Sequence, residues 1–203
     1  MKLYPLFLLM ATATVFSPGP GVVMTLTNSI RYGLRGTFGG ILGIAFGALL
    51  VAAVSATSAG VVLATSALAF TIMKYLGAAY LIYLGVRLWR APAFQFHEQP
   101  AHEASFGKRF FEGLSLQLTN PKAIFFFLSV FPQFIDHSMN YTSQFSLLVL
   151  TYSTLVVVIH SLYAMSAQRA KRWLTSEQGG RTINKVGGAT FVFFGAALAT
   201  AKR

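Results

Sequence analysis

The sequence predicts an all-α integral membrane protein. Six transmembrane helices form two inverted three-helix repeats, and proline breaks the first and fourth helices. Three observations carry this expectation. Of 203 residues, 55% are hydrophobic and 10% charged, with a mean hydropathy of +0.61, whereas soluble domains carry about 25% charged residues. The apolar residues fall into six blocks, each near the ~20 residues a helix needs to cross the hydrocarbon layer. Finally, a proline motif interrupts the first block of each half, "SPGP" at Ser17 to Pro20 and "NPKA" at Asn120 to Ala123.

Taken in order, the blocks run from Leu3 to Thr27, Gly39 to Leu63, Leu68 to Trp89, Phe110 to Phe134, Gln144 to Ser166 and Ile183 to Ala201. The second and third abut across "ATSA", so a tight turn is expected there. Met1 to Phe16 has the look of a secretory signal, with Lys2, an apolar run and a small-residue site at "ATA". The apolar run, however, continues past the prolines to Thr27, which favours a retained helix.

Lys and Arg set the orientation. Eleven of them lie in, or at the span edges bordering, the connections after the first, third and fifth spans: Arg31, Arg35, Arg87, Arg90, Lys108, Arg109, Arg169, Lys171, Arg172, Arg181 and Lys185. The opposite side holds Lys2, Lys202 and Arg203. The positive-inside rule makes the richer side cytoplasmic and places both termini in the periplasm of a bacterial inner membrane. The net charge of +11 therefore reads as membrane orientation, and no nucleic-acid partner is expected. Without cysteine the chain has no disulfide, thiolate metal site or thiol relay. The polar stretches are too short for a second core. Residues 1–203 read as one membrane domain, with repeat one over about 1–90, a cytoplasmic loop over about 90–109 and repeat two over about 110–203.

The repeat also shows in the third and sixth spans. Each carries a Gly-x7-Gly pair with aromatics between, Gly77/Gly85 and Gly187/Gly195. A three-span repeat necessarily inverts its second copy, and proline-interrupted segments at equivalent positions point to a transporter's substrate site. Span two carries Gly39, Gly43 and Gly47 on one face, where another backbone can approach closely. Packing against a neighbouring span is the favoured use of that stripe, and a homodimer interface is the alternative.

A broken helix exposes donors where the new half starts and acceptors where the old half ends. The first suits a carboxylate and the second an ammonium group. Ser17, Pro18, Gly19, Pro20 and Gly21, opposed to Asn120, Pro121 and Lys122, are thus candidates to bind one small zwitterion. The alternative is a pair of kinks filled by Ser17 and Asn120 hydrogen bonds. Lys122 lies ~18 Å along the helix from either edge of its span. A cation there costs at least ~2.5 to 3.5 kcal/mol on insertion scales and faces a cavity or a partner unless it snorkels. It would hold or gate the substrate carboxylate. Lys74, nearer a membrane edge, is expected to snorkel. Asp136 and His160 are the proton-coupling candidates, each with a bland alternative as a loop carboxylate or a packing histidine. "HEQPAHE", from His97 to Glu103, contains Pro100 and faces solvent, so no metal site is expected. No nucleophile–base pair, phosphate loop or cofactor motif appears; the chain does not read as an enzyme.

Several stretches together give a family resemblance: "SPGPG", "RYGLRG", "KYLGAAYLIYLGVRLWR", "FFEGLSLQLTNPKAIFFFLSVFPQF" and a final Gly-x7-Gly helix. From about residue 5 to residue 200 the chain resembles the LysE/RhtB family of bacterial amino-acid exporters. The resemblance implies a six-span inner-membrane carrier that exports amino acids or close derivatives, driven by the proton gradient. Its motifs fall on Pro18, Gly19, Pro20, Gly77, Gly85, Asn120, Pro121 and Lys122. Gln117 stands where many members carry Asn, a departure that bears on the site. With no clear intramembrane carboxylate, neutral or hydroxy-amino acids, or their lactones, are favoured over lysine-like substrates. A metal-ion carrier of similar architecture would need soft or acidic ligands in its spans. A non-transporting scaffold is the alternative from a different class.

Overall fold

The computed structural model describes residues 3–65, 67–92, 105–136, 138–174 and 176–200. Among these residues the regular structure is helical. The elements are α1 (Tyr4–Phe16), α2 (Pro20–Thr65), α3 (Ala67–Trp89), α4 (Phe106–Leu118), α5 (Pro121–Phe125), α6 (Tyr141–Arg169), α7 (Lys171–Leu174) and α8 (Glu177–Thr200). After α5 the chain continues through a π turn (Phe126–Val130) and a 3-10 turn (Phe131–Phe134). Pro132 has no amide to return to the preceding turn, and its ring crowds the carbonyl four residues back. A regular helix therefore cannot be kept there.

Two helical stretches in the described residues are long and apolar enough to cross a membrane, Tyr141–Ala167 and Pro20–Ser55, the latter interrupted at Gly33. The pair Phe106–Leu118 and Pro121–Phe134, bent by 51°, passes the same length and composition test when taken together. Tyr4–Phe16 and Ala78–Trp89 are shorter apolar helices. The surface is inverted relative to a soluble protein. Leu9, Val54, Leu68, Leu76 and Phe193 are each more than 60% exposed, while Ser17, Asn28, Gln117, Asn120, Lys122 and His160 are buried. Hydrocarbon outside and polar groups inside is the arrangement a bilayer requires.

Within α2, Gly33 adopts φ 69° and ψ −177°, a region essentially restricted to glycine. The chain doubles back there. A Cβ on Gly40 would lie 3.0 Å from Met24 Cε, and one on Gly21 would lie 3.5 Å from Ile44 Cδ1. Residues 20–32 and 34–65 are thus two antiparallel limbs. The connection expected after the first span contracts to this one turn, because a single glycine can reverse the chain where Arg31 and Arg35 flank it. Thr37 Oγ1 donates to the Gly33 carbonyl at 2.8 Å and secures the start of the second limb.

The glycine stripe is used within the chain. Added Cβ atoms on Gly39, Gly43 and Gly47 would lie 2.7 Å from the Phe106 carbonyl oxygen, 2.0 Å from that of Phe110 and 2.7 Å from Gln117 Cβ. The second limb of α2 and α4 therefore run parallel in close backbone contact. α1 runs in the same sense as α6, with the Tyr4 hydroxyl 3.0 Å from Thr151 Oγ1 and the Phe16 and Tyr163 rings 5.3 Å apart. α3 and α8 are antiparallel: a Cβ on Gly85 would sit 2.7 Å from the Gly188 carbonyl oxygen, and one on Gly195 2.8 Å from that of Ala78. Gly187 packs on Leu88 and on the Pro18 carbonyl. The surroundings of Gly77 and the side chain of Lys74 lie outside the described residues, as do Lys2, the His97 to Glu103 stretch, Lys202 and Arg203.

Helix starts differ from expectation at α8, which begins at Glu177 and takes in Arg181 and Lys185, and at α4. α4 starts at Phe106, capped by Ser105 Oγ, which accepts from the Lys108 amide at 3.3 Å. Lys108 and Arg109, read as loop cations, therefore lie in the helix. Arg109 is buried against the α2 turn. Its guanidinium lies 3.7 Å from the Tyr32 ring centroid and donates to the Gly36 carbonyl. The Tyr32 ring face and the carbonyl together replace part of the hydration a cation loses on burial.

Candidate functional site

The site begins with what two prolines remove. In a continuous helix the amide of residue 18 would donate to the carbonyl of residue 14, and that of residue 20 to residue 16. Pro18 and Pro20 have no amides, so α1 ends at Phe16 and these carbonyls lose their helical partners. Side chains from the other half of the molecule supply the donors. Lys122 Nζ donates to the Thr14 carbonyl at 2.9 Å and to the Ser17 carbonyl at 2.8 Å. The Tyr163 hydroxyl donates to the Phe16 carbonyl at 2.7 Å. The Ser17 hydroxyl is buried without a hydrogen-bond partner.

The second break closes on itself. Pro121 offers no donor to the Gln117 carbonyl, and the Asn120 amide takes its place at 3.1 Å in a tighter turn. Asn120 also caps α5, its Oδ1 accepting from the Lys122 amide at 3.1 Å, while its Nδ2 donates to Gln117 Oε1 at 3.1 Å. Asn120 and Gln117 thereby fix the backbone from which Lys122 reaches across to α1. Asn120 Oδ1 also takes up the Lys122 amide, one of the backbone donors exposed where the new half-helix starts. The two breaks are therefore unequal: one is self-satisfied and one depends on Lys122 and Tyr163.

Two glycines make room for this approach. A Cβ on Gly19 would lie 3.1 Å from Lys122 Nζ, and one on Gly21 would lie 3.2 Å from His160 Cε1. His160 is buried, and its Nδ1 lies 2.6 Å from Thr25 Oγ1. Between the breaks is a cavity whose polar wall consists of Gly21, Gln117, Asn120, Lys122, Tyr152 and His160. Val15, Val22, Ile44 and Val156 form its apolar wall. The cavity volume is ≈ 20 Å³. One water needs roughly 10–15 Å³, so this conformation is too tight for an amino acid. An aromatic cluster closes the side nearest Tyr4: Phe7 lies 5.3 Å from Phe134 and 6.0 Å from Phe131, and Tyr152 lies 4.9 Å from both Phe126 and Phe127.

Most of the sequence-derived candidates converge here. Gly21, Gln117, Asn120, Lys122 and His160 line the cavity, and Ser17 and Gly19 of break one meet the Lys122 amino group; Pro18 lies against Gly187 and Pro20 starts α2. Pro121 starts α5. Asp136 is not among the lining residues. It is exposed in the turn before α6, where Oδ1 accepts from the Ser138 amide at 3.0 Å and hydroxyl at 2.6 Å. Thr14, Thr25, Tyr152 and Tyr163 were missed. The prolines announced that carbonyls 14 and 16 would be orphaned, but nothing local says which distant side chains satisfy them. Among the described residues, no three His, Asp or Glu side chains gather as a metal site.

Comparisons with known proteins agree in one direction. A family model for LysE type translocators matches residues 12–202. A homoserine/homoserine lactone efflux protein of Salmonella typhimurium is 36% identical, over 97% of this chain and 95% of its own length. A membrane protein of Vibrio cholerae is 35% identical over 94% of each chain, and one of Bacillus subtilis is 30% identical over 91% and 92%. No solved structure matches.

Proposed function

This chain belongs to the family of LysE type translocators, and from that premise we propose that it exports neutral or hydroxy-amino acids, or their lactones, by proton antiport. The observation that carries the proposal is the pair of backbone carbonyls at the end of α1, held by an ammonium group inside a cavity formed by both helix breaks. A cradle that accepts the Lys122 ammonium has the chemistry to accept the ammonium of an amino acid. The Salmonella relative is named for homoserine and homoserine lactone; these share the ammonium and a carbonyl, and only the acid has a carboxylate. The start of the residue 20–32 limb, at Gly21 and Val22, is positioned for a carboxylate or carbonyl of the same molecule.

The architecture of this reading is a single membrane domain of two inverted three-span repeats. The first is α1 with both limbs of α2 and α3; the second is α4 with α5, then α6 and α8. The parallel pairs α1–α6 and second limb–α4, with antiparallel α3–α8, have the senses that six alternating spans require. Alternating access would then widen the cavity to one side at a time. The cytoplasmic membrane is the expected location, with both termini periplasmic.

Whole cells or everted vesicles loaded with an amino-acid panel, including homoserine and its lactone, test the proposal. At least one of these is expected to leave faster than from cells lacking the protein, and an uncoupler is expected to slow it. If none does, the exporter reading fails.

A further inference from the structure

We infer that Lys122 is itself the proton carrier, and that a substrate's ammonium drives its deprotonation by competing for the carbonyl oxygens of Thr14 and Ser17. The inference rests on the exporter reading and goes beyond it by naming the coupling group. Both oxygens are already engaged by the Lys122 amino group, at 2.9 and 2.8 Å. They are open to a new cation because Pro18 leaves the Thr14 carbonyl without a helical donor. No Asp or Glu lines the cavity among the described residues. Two ammonium groups at one pair of dipoles, in a low-dielectric setting without a counter-charge, repel each other strongly. Lysine is the side chain that yields its proton readily under such pressure, whereas arginine does not.

The groups facing Lys122 leave few other candidates. α1 presents backbone carbonyls, the turn before α2 presents Gly19, and α4 presents Gln117. The titratable side chains lining the cavity besides Lys122 are Tyr152 and His160, both on α6. His160 already shares Nδ1 with Thr25. The step balances simply. When substrate enters from the cytoplasm, a Lys122 Nζ–H bond breaks, its electron pair stays on nitrogen, and the proton passes to cytoplasmic water. The substrate ammonium donates to the two carbonyls instead. After the site opens outward, substrate leaves, a proton from the outer side re-forms the Nζ–H bond, and Lys122 returns to the carbonyls.

The test uses full-length protein in proteoliposomes, with radiolabelled homoserine (or the substrate the efflux panel identifies) and an enclosed pH dye. In the wild-type protein a homoserine gradient is expected to move protons the opposite way. Lys122→Gln is expected to lose proton movement but retain slowed homoserine exchange, because its carbonyls are open to substrate. Lys122→Arg keeps a permanent cation on the carbonyls and is expected to lose both. His160→Gln is expected to keep the ratio of protons to homoserine, whatever its rate. Proton movement that survives in either Lys122 variant overturns the inference, as does loss of coupling only in His160→Gln. If Lys122→Gln does not insert, Lys122→Arg decides alone. Wild-type exchange without proton movement also overturns the coupling role and leaves the exporter reading standing. Absence of any wild-type exchange fails the exporter reading itself.

Discussion

Two prolines remove two hydrogen bonds from the first helix, and the molecule replaces both with side chains more than 100 positions away: Lys122 covers Thr14, and Tyr163 covers Phe16. At membrane depth water cannot do this, so an unmatched carbonyl keeps its full desolvation cost. Tyr163→Phe deletes one replacement without changing shape. It is expected to lower stability by ~1 to 3 kcal/mol, the usual cost of leaving a polar group unpaired, read as a fall in thermal unfolding temperature of the detergent-solubilised protein. A change no larger than that of an exposed Tyr83→Phe control would show that the Phe16 carbonyl finds another donor.

Glycines set the spacing between elements, each for a different reason. Gly33 is required by its backbone: at φ 69° and ψ −177°, alanine would be strained by ~1 to 3 kcal/mol. Gly33→Ala is expected to loosen the α2 hairpin and raise hydrogen exchange around residues 28–40. Gly43 has an ordinary helical backbone but no room, since a Cβ would lie 2.0 Å from the Phe110 carbonyl oxygen. Gly43→Ala should therefore push α4 away, at ~1 to 3 kcal/mol for overpacking. Gly107, on the same helix pair, would meet nothing within 4 Å, and Gly107→Ala should be neutral or slightly stabilising. Equal unfolding temperatures for the Gly43 and Gly107 variants would contradict the close contact between the second limb and α4.

For the whole molecule, the decisive quantity is the side on which cations gather. Arg109 is buried on the Tyr32 face, so the expected orientation rests on the other ten cations assigned to the cytoplasmic side. A reporter fused after Arg203 is expected to be active only as a periplasmic reporter, and one inserted between residues 93 and 104 only as a cytoplasmic one. Cytoplasmic activity at Arg203 would break either the six-span count or the charge assignment.

Much of this was legible locally. Composition, six apolar blocks and two proline motifs are one-dimensional signals, and they led to a helical membrane protein whose first and fourth helices break at Ser17 to Gly19 and at Thr119 to Asn120. The glycine stripe announced a close backbone neighbour, and the charge of Lys122 announced a cavity or a partner, because bilayer energetics penalise both features unless they are used. Other features required the folded chain. The sequence could not tell that Gly33 reverses the chain alone, that Arg109 turns inward, or that Asn120 and Gln117 satisfy each other. Nor could it tell that the ammonium on the α1 carbonyls belongs to the protein itself. The Arg109 and Lys122 contacts join residues tens to more than a hundred positions apart, and hydrogen-bond donors are chosen by proximity in space. The sequence by itself determined which groups would be left wanting a partner; only the tertiary structure decided which partner each one found.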